Sequence, residues 1–443
     1  MSLFLVLALT GLMAALGSFD AGEQSSSGVS LSLGYLLLAA YFVGGLFQRL
    51  GLPKLTGYIA TGIVVGPSVL GLLDGEMVER LRLVNGVAVA LIALTAGSEL
   101  EYRAMKPLFR SIREISVYGV LGTAFLLAVA VYLARGWLPF VERLSQAQAL
   151  VVSLVLGVVM VAQSPAVVVA LRDETGAEGP LASTVLGVVV IADLVVILLF
   201  ALTSSLAKAA LGGGLDMLET ARALAWELLG SLVAGAVIGY LLSLYLRRVR
   251  GGAALFVLLV AFVIAEVGQR LYFDPLLVAL AAGMFVRNGS SVGDVLHRHI
   301  EAPALPVYIL FFAAAGANLH LDVLLIVGGP AVLFVVVRGV GLLTGAALGA
   351  RLAEAPPVVK RYAGFGLLPQ AGLALALSML FAKTFAEFGV EASALTLGVV
   401  ALNELIAPAL YRFALVRSGE AGKKLPRGAS APAEDVPALP AEP

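Results

Sequence analysis

Long apolar segments, separated by short polar or charged connections, recur along almost the whole chain. From residue 31 onward the sequence contains thirteen such segments. Most approach the ~20 residues that an α-helix needs to cross the hydrocarbon core of a bilayer. They lie at 31–49, 55–73, 82–98, 115–134, 149–171, 180–203, 223–246, 253–268, 274–287, 305–318, 323–350, 359–384 and 394–416. This pattern predicts an all-α polytopic membrane protein with about 13 transmembrane helices.

The two ends of the chain do not follow this pattern. Residues 1–18 contain an apolar stretch that is shorter than a spanning helix, and no basic residue precedes it. A signal peptide normally opens with a positive charge, so a cleaved signal peptide and an extra span both stay open. Residues 417–443 are rich in Pro, Ala and charge, which predicts a disordered cytoplasmic tail.

Basic residues are distributed unevenly between the two sets of alternate connections. Of the 29 Lys and Arg residues, 20 fall on one side together with the C-terminus and 8 on the other, while Arg338 lies inside a segment. Cytoplasmic connections carry the excess of Lys and Arg in membrane proteins. The asymmetry therefore predicts a multi-pass protein of the inner (plasma) membrane with a cytoplasmic C-terminus.

Composition supports the membrane assignment and excludes several kinds of site. Hydrophobic residues make up 60% of the chain and charged residues 13%, against about 25% charged in soluble domains. The net charge is zero, which gives no reason to expect a nucleic-acid partner. There is no cysteine and there are three scattered histidines. We therefore expect no cofactor and no resident metal ion, and no nucleophile–base pair indicates an enzyme.

The chain contains an internal repeat. Three short motifs recur in the same order at offsets between 211 and 221 residues. Gln48-Arg49-Leu50 with Gly62 matches Gln269-Arg270-Leu271 with Gly283, and Ala96-Gly97 with Leu100 matches Ala315-Gly316 with Leu319. Leu186-Gly187-Val188-Val189 with Asp193 and Leu194 matches Leu397-Gly398-Val399-Val400 with Glu404 and Leu405. The repeats begin seven segments apart, an odd number, so they have opposite orientations in the membrane. Inverted repeats around a site near the bilayer midplane are typical of secondary transporters.

Ionisable residues lie near the middle of three predicted spans. Asp193 and Arg338 are central in 180–203 and 323–350, and Glu404, beside Asn403, is the repeat equivalent of Asp193. A carboxylate at this depth costs about 2.5–3.5 kcal/mol on insertion scales, so it usually faces a site. Two structural alternatives stay open: an ion pair between Asp193 and Arg338, and a purely structural role for Glu404.

Polar helix-breaking motifs interrupt one span in each repeat. Gln163-Ser164-Pro165 lies within 149–171, and Pro369-Gln370-Ala371-Gly372 lies within 359–384. Proline removes a hydrogen-bond donor and frees a carbonyl one turn back. Unwound backbone is tolerated in a bilayer only where it is buried in protein or lines a cavity. Interrupted spans at corresponding places in two repeats therefore indicate a binding site.

Several motifs together resemble the monovalent cation:proton antiporter superfamily, in particular its second branch of bacterial Na⁺/H⁺ antiporters and K⁺ efflux-type transporters. Gly57-Tyr58 with Gly62 and Gly66-Pro67 is similar to one signature of that branch. Further similar elements are Gly97-Ser98-Glu99-Leu100, Phe311-Phe312 with Gly316, and Asn403-Glu404-Leu405-Ile406-Ala407-Pro408. The resemblance covers about 31–416.

The resemblance implies a fold and a set of site residues. Two discontinuous helices would cross at Ser164-Pro165 and Pro369-Gln370, and Arg338 would match a basic residue in the middle of the membrane. A core of 115–203 and 323–416 would move past a dimerisation part of 31–98 and 253–318, in a homodimer. The ion-binding aspartate of the family is the second residue of a pair, which is Ala192-Asp193 here. The first position has lost its polar residue, which leaves the cation and the stoichiometry open.

The resulting hypothesis is exchange of Na⁺ or K⁺ for H⁺ by alternating access, in an electroneutral one-for-one ratio. Asp193 would bind the cation or the proton, and Ser164, Gln163 and freed carbonyls would add neutral oxygens. Arg338, with Glu404, Asn403 and Gln370, would supply charge or polar contacts at the crossing, and Pro165, Pro369 and Gly372 would form the breaks. A sodium-coupled symporter of an organic anion and a gated potassium efflux pathway are the alternatives.

Overall fold

A computed structural model describes residues 10, 26–73, 82–212, 217–248, 253–318, 321–370, 372–385 and 387–423 of the chain. The described residues form helices and connections and contain no β-strand. In chain order we label the helices α1 Ser26–Arg49, α2 Lys54–Val65, α3 Arg82–Glu99, α4 Tyr102–Leu133, α5a Gln146–Val161, α5b Pro165–Thr175, α6 Pro180–Ala210, α7 Met217–Arg248, α8 Ala253–Leu271, α9 Pro275–Gly289, α10 Gly293–Ala317, α11 Leu321–Leu352, α12a Pro357–Gly366, α12b Gly372–Thr384 and α13 Gly389–Arg417.

Each apolar segment predicted from the sequence corresponds to a helix or to a broken pair of helices. Three boundaries differ clearly: the helix predicted from 115 begins at Tyr102, the one predicted from 305 begins at Gly293, and the segment predicted at 55–73 ends its helix at Val65. Gly66 follows in an extended conformation, and Pro67 comes next. The residue before a proline is pushed away from helical geometry, which explains the early end. The predicted signal peptide or extra span at 1–18 lies outside the described residues, apart from position 10.

Within the described part of the chain, six helices are long and apolar enough to cross a membrane: Tyr102–Leu133, Gln146–Thr175, Pro180–Ala210, Ala221–Arg248, Val327–Leu352 and Gly389–Arg417. Seven shorter apolar helices accompany them. The outer surface is apolar as well, since large side chains of α7 such as Val233, Val237 and Leu241 are exposed. A soluble protein buries most such residues, so the chain is a multi-pass membrane protein.

The two repeats interlock through glycines of the repeated motifs. Gly62 on α2 lies against the backbone of α10, where Gly316 is in turn in contact with α2. Gly97 on α3 meets α9 in the same way, opposite Gly283. Because Gly62 corresponds to Gly283 and Gly97 to Gly316, each repeat contributes one helix to each contact. The contacts therefore follow the inverted symmetry that the sequence repeat predicts.

The close contact between α3 and α9 yields a stability prediction. A Cβ at Gly97 would overlap the carbonyl oxygen of Leu280, which is backbone and cannot turn aside. We expect Gly97→Val to destabilise the protein by about 1–3 kcal/mol or more, as overpacking of a close contact does. The measurement is a lower thermal unfolding temperature in detergent. Gly339→Ala is the matched control, because a Cβ there meets nothing within 4 Å. An unchanged unfolding temperature for Gly97→Val would contradict the packing described.

The helices pack as two groups. The first, which we call the flanking group, consists of α1–α3 and α7–α10, with α3 and α7 against α9 and α2 against α10 as its main contacts. The second, the crossing group, consists of α4–α6 and α11–α13, with α5a packed on α4 and α6 and α11 packed on α13. Helices α5b and α13 contact α3 and α2, which joins the two groups.

The end of the bundle that carries the C-terminus, which we call the C-terminal side, is fixed by several contacts. Arg287 at the end of α9 pairs with Glu101 after α3, with N and O 2.6 Å apart. Arg172 at the end of α5b pairs with Glu99 at the end of α3. The backbone of Glu178, close to that pair, donates to the carbonyl of Glu420 at 3.1 Å. The opposite side carries the ends of α8 and the start of α9.

Part of the tail is folded, contrary to the prediction of disorder from residue 417. Glu420 is 2% exposed, and its carboxylate accepts hydrogen bonds from the backbone of Leu181 and Ala182, each at 2.8 Å. The backbone of Gly422 donates to Thr175 at 2.9 Å. A carboxylate at a helix N-terminus satisfies free N–H groups and opposes the helix dipole. This cap on α6 explains why the chain stays packed beyond α13.

Candidate cation site

The break in the fifth span separates α5a from α5b by three extended or irregular residues. Helix α5a ends at Val161, and Ser164 caps α5b by accepting a hydrogen bond from the backbone of Val167 at 3.2 Å. Pro165 occupies the first helical position of α5b, where its missing N–H needs no partner. The proline therefore starts a second helix, and the unpaired carbonyls belong to the end of α5a.

The break in the twelfth span lies at the same depth and meets the first. Residues 367–370, including Pro369, are non-helical and buried between α12a and α12b. The side-chain amide of Gln370 donates to the carbonyl of Met160, near the end of α5a, at 2.8 Å. One polar side chain thus links the two breaks directly, as expected for crossed discontinuous helices.

Arg338 on α11 joins the carbonyls of both breaks. Its side chain is 0% exposed. It donates to Met160 at 2.8 Å and to Ala162 at 3.1 Å at the first break. At the second it donates to Leu368 at 2.7 Å and to Leu367 at 3.4 Å. The guanidinium lies where the C-terminal ends of α5a and α12a converge, and its positive charge is favourable beside both helix ends.

Asn403 on α13 extends this network. Its amide donates to the side-chain oxygen of Gln370 at 2.9 Å and to the carbonyl of Val399 at 3.0 Å. Its own oxygen accepts from Arg338 at 3.5 Å. Asn403, Gln370 and Arg338 therefore form one buried polar cluster that stabilises the crossing.

A cavity of about 240 Å³ lies beside the breaks, and the three residues of this cluster do not line it. Its polar wall consists of Gln163, Ser164, Asp193 and Asp274, together with Pro165 and Gly372 from the breaks. The rest of the wall is apolar: Val89, Ile92, Ala93, Ala96, Ala166, Ile197, Leu276, Leu280, Phe311, Leu373 and Ala376. Both helix groups contribute, so the cavity lies between them.

Two buried oxygen atoms in this wall lack hydrogen-bond partners. Asp193 is 4% exposed and Gln163 is 1% exposed. Among the described residues, none donates to Oδ1 of Asp193 or to Oε1 of Gln163. Buried hydrogen-bond acceptors are almost always satisfied. Two unsatisfied oxygens in one cavity therefore indicate a place for a ligand that donates hydrogen bonds or carries positive charge.

Arg338 does not pair with Asp193. No ion pair between these two side chains occurs within the described part of the chain, and Arg338 bonds to backbone carbonyls and Asn403 instead. The alternative of a structural Asp193–Arg338 ion pair is therefore wrong. The carbonyls that the sequence motifs offer as cation ligands are also engaged, because those of Met160, Ala162 and Leu368 already accept hydrogen bonds.

Glu404 occupies a separate position. It is 2% exposed, and Oε2 has no hydrogen-bond partner among the described residues. It does not line the cavity that contains Asp193. The structure therefore brings Asp193, Gln163 and Ser164 together, and Arg338, Gln370 and Asn403 together, but places Glu404 with neither set.

Two features of the site are not evident from the sequence. Asp274 lines the cavity although it precedes Pro275, a pattern that indicates an ordinary helix start. Glu99, whose position near a helix end indicates a solvated residue, has a side chain only 3% exposed and pairs with Arg172. The partners in both cases come from distant parts of the chain, so no local pattern identifies them.

Several contacts join the two helix groups on the C-terminal side. Besides Glu99 and Arg172, the backbone of Lys54 donates to the carboxylate of Glu174 at 2.8 Å. Arg412 on α13 donates to the carbonyl of Gly51 before α2. Asp274, at the start of α9, places the cavity toward the opposite side.

Comparison with known proteins agrees with this architecture. The family model described as "Sodium/hydrogen exchanger, transmembrane" matches residues 36–416. The Na(+)/H(+)-K(+) antiporter GerN of Bacillus cereus is 26% identical over 393 residues, which cover 85% of this chain and 94% of that protein. The probable Na(+)/H(+) antiporter 3 of Methanocaldococcus jannaschii is 23% identical over 301 residues, covering 65% and 71% respectively.

Solved structures give the same fold. Two structures of the sodium proton antiporter MjNhaP1 from Methanocaldococcus jannaschii superpose with TM-scores of 0.61 and 0.67. The sequences are 15% and 14% identical to this chain, and the matches cover 88% and 89% of it. At this identity the similarity establishes the fold alone.

Proposed function

Because the chain belongs to the sodium/hydrogen exchanger family, we propose that it exchanges Na⁺ or K⁺ for H⁺ by alternating access, with Asp193 binding cation and proton in turn. It is a cation/proton antiporter and not an enzyme. Relatives named for Na⁺/H⁺ and for Na⁺/H⁺-K⁺ antiport support both candidate cations. Selection between them depends on the geometry of the occupied site.

The observation that carries this proposal is the unpaired carboxylate of Asp193 in the cavity. A buried charge without a partner is costly in a membrane protein. A proton removes that charge, and a bound cation compensates it, so the two ligands compete for one position. This competition couples the movement of one to the movement of the other.

Neutral oxygens close to Asp193 suit a hard monovalent cation. Gln163 offers an unpaired amide oxygen, and the hydroxyl of Ser164 lines the same cavity. Water in the liquid takes about 30 Å³ per molecule, so the cavity holds several waters beside an ion. We infer that the cation keeps part of its hydration shell at Asp193. Water molecules then take the ligand positions for which the sequence motifs indicated backbone carbonyls.

Alternating access needs relative motion of the two helix groups. We propose that the core, 115–203 and 323–416, moves against the part formed by 31–98 and 253–318, in a homodimer. The Glu99–Arg172 pair and the Glu174 contact with Lys54 hold the C-terminal side closed and separate when that side opens. We further propose that this side is cytoplasmic and that the protein resides in the plasma membrane, as the excess of basic residues predicts.

We propose electroneutral, one-for-one exchange. Arg338 is bound to backbone carbonyls and carries a fixed charge. Glu404 lies outside the cavity, and a neutral carboxyl group is less costly there than an unpaired charge. Of these three groups, Asp193 is then the one that alternates between proton and cation, so we propose that each cycle moves one positive charge in each direction.

Purified protein in proteoliposomes tests these proposals. We expect Na⁺ or K⁺, added to vesicles that hold a pH gradient, to dissipate the gradient in a saturable manner. An imposed potential of 100 mV acts on each net transported charge with about 2.3 kcal/mol. An electroneutral exchanger should therefore dissipate the gradient at the same rate with and without the potential.

Three results would contradict the proposal in part or in full. A rate that changes with the imposed potential would refute the one-for-one ratio but not exchange itself. Sodium-dependent uptake of an organic anion without any pH change would favour the symporter, and single-channel currents would favour the potassium efflux pathway. Empty liposomes and liposomes with heat-denatured protein are the controls.

A further inference from the structure

A second carboxylate, Asp274, shares the cavity with Asp193. Of the described residues in the cavity wall, these two are the ones that carry charge. They belong to different helix groups, since Asp193 lies in α6 and Asp274 directly precedes α9. Both carboxyl groups face this one cavity of about 240 Å³. The cavity therefore contains two acids in a wall that is otherwise mostly apolar.

The local structure of Asp274 leaves one of its oxygens available. Oδ1 caps α9 by accepting hydrogen bonds from the backbone of Leu276 at 2.8 Å and of Leu277 at 3.3 Å. The backbone N–H of Asp274 donates to the hydroxyl of Ser231 on α7 at 2.9 Å. None of the described residues donates a hydrogen bond to Oδ2. Helix capping thus uses half of the carboxylate and fixes its position.

Helix capping alone does not explain an acid at this place. Asn and Ser cap a helix as well as Asp does without adding a charge near another buried carboxylate. The same cavity contains the unsatisfied oxygens of Asp193 and Gln163, which independently indicate a cationic ligand. A monovalent cation between two carboxylates is attracted by both and reduces the repulsion between them.

We propose that Asp274 forms a second, outer binding position, where a monovalent cation is held before it reaches Asp193. This inference depends on the exchange function proposed above. The cation enters from the side opposite the C-terminus, is attracted by two carboxylates and keeps its hydration in the cavity. When the helix groups move, Asp274 stays with the flanking group while Asp193 carries the cation away.

This binding position is tested by measuring transport in Asp274→Asn separately for Na⁺ added on each side of the membrane. The full chain with a C-terminal tag is placed in vesicles of both orientations, and protease cleavage of the tag reports which side faces out. Initial rates of exchange are measured against Na⁺ concentration, with choline chloride holding the ionic strength constant. We expect the KM for Na⁺ added on the cavity side to rise roughly tenfold, the lower end of what a charged cleft adds to local ion concentration. The maximal rate and the KM on the C-terminal side stay unchanged.

Controls separate charge from folding. Asp274→Asn keeps an oxygen that caps α9, and Asp274→Ser provides a second capping residue without charge, so both should give the same KM. Glu266→Gln removes a negative charge at the same end of the bundle from an exposed pair with Arg270, and its KM should equal that of wild type. Equal thermal unfolding temperatures confirm that all variants are folded.

The inference is overturned if Asp274→Asn and Asp274→Ser keep the wild-type KM on the cavity side. It is also overturned if the KM rises equally on both sides, or if Glu266→Gln raises it as much. Each of these outcomes leaves wild-type exchange intact and so leaves the proposed function standing. Failure of the proposed function has a different signature, namely wild-type protein that gives no cation-dependent pH change.

Discussion

We expect Asp193→Asn to abolish cation-driven pH changes in proteoliposomes while the protein stays folded. Asparagine keeps the size and polarity of the side chain but neither releases a proton nor compensates a cation. The unpaired Oδ1 in the cavity is the position at which both ligands would bind. We expect the rate to fall to that of empty liposomes, measured as dissipation of a pH gradient on addition of Na⁺ or K⁺.

The chain offers a matched control for this variant. Glu404 is also a buried acid, it occupies the repeat-equivalent position, and it lies outside the cavity. Glu404→Gln therefore removes the same chemical group at the same depth and should retain exchange. Exchange that is retained in Asp193→Asn and lost in Glu404→Gln would assign cation and proton binding to Glu404 in the other repeat. That result would contradict the present proposal.

Arg338→Met has the largest expected effect on stability. It removes the donor that satisfies carbonyls at the ends of α5a and α12a, including those of Met160 and Leu368. Each buried polar group left unsatisfied costs about 1–3 kcal/mol. We expect a large fall in the thermal unfolding temperature in detergent, together with poor recovery of folded protein.

Arg338→Lys separates charge from hydrogen-bond geometry. Lysine retains the positive charge beside the two helix ends but lacks the planar fork that reaches several carbonyls at once. Its unfolding temperature should lie between those of wild type and Arg338→Met. A thermal unfolding temperature for Arg338→Met equal to that of wild type would show that these hydrogen bonds do not hold the crossing together.

The helical architecture and the position of the breaks follow from local features of the sequence. Apolar segments of membrane-spanning length form helices because the bilayer leaves the backbone no other way to satisfy its polar groups. Ser164-Pro165 is a cap followed by a helix start, so the break there is specified by adjacent residues. The close helix contacts at Gly62 and Gly97, by contrast, are known only from the structure, where a side chain would not fit.

Electrostatic partners were decided by the tertiary structure alone. Arg338 lies 178 residues from Met160, whose carbonyl it binds, and Glu99 lies 73 residues from Arg172. Depth in the membrane identifies costly charges but not the groups that compensate them, since those come from other helices. The sequence by itself thus determined the helices, the inverted repeats and Asp193 as a central acid. Only the packing of the two helix groups kept Arg338 from pairing with Asp193 and brought Asp274 into the cavity of Asp193. The physical reason is that the walls of this cavity come from elements that are distant in the chain.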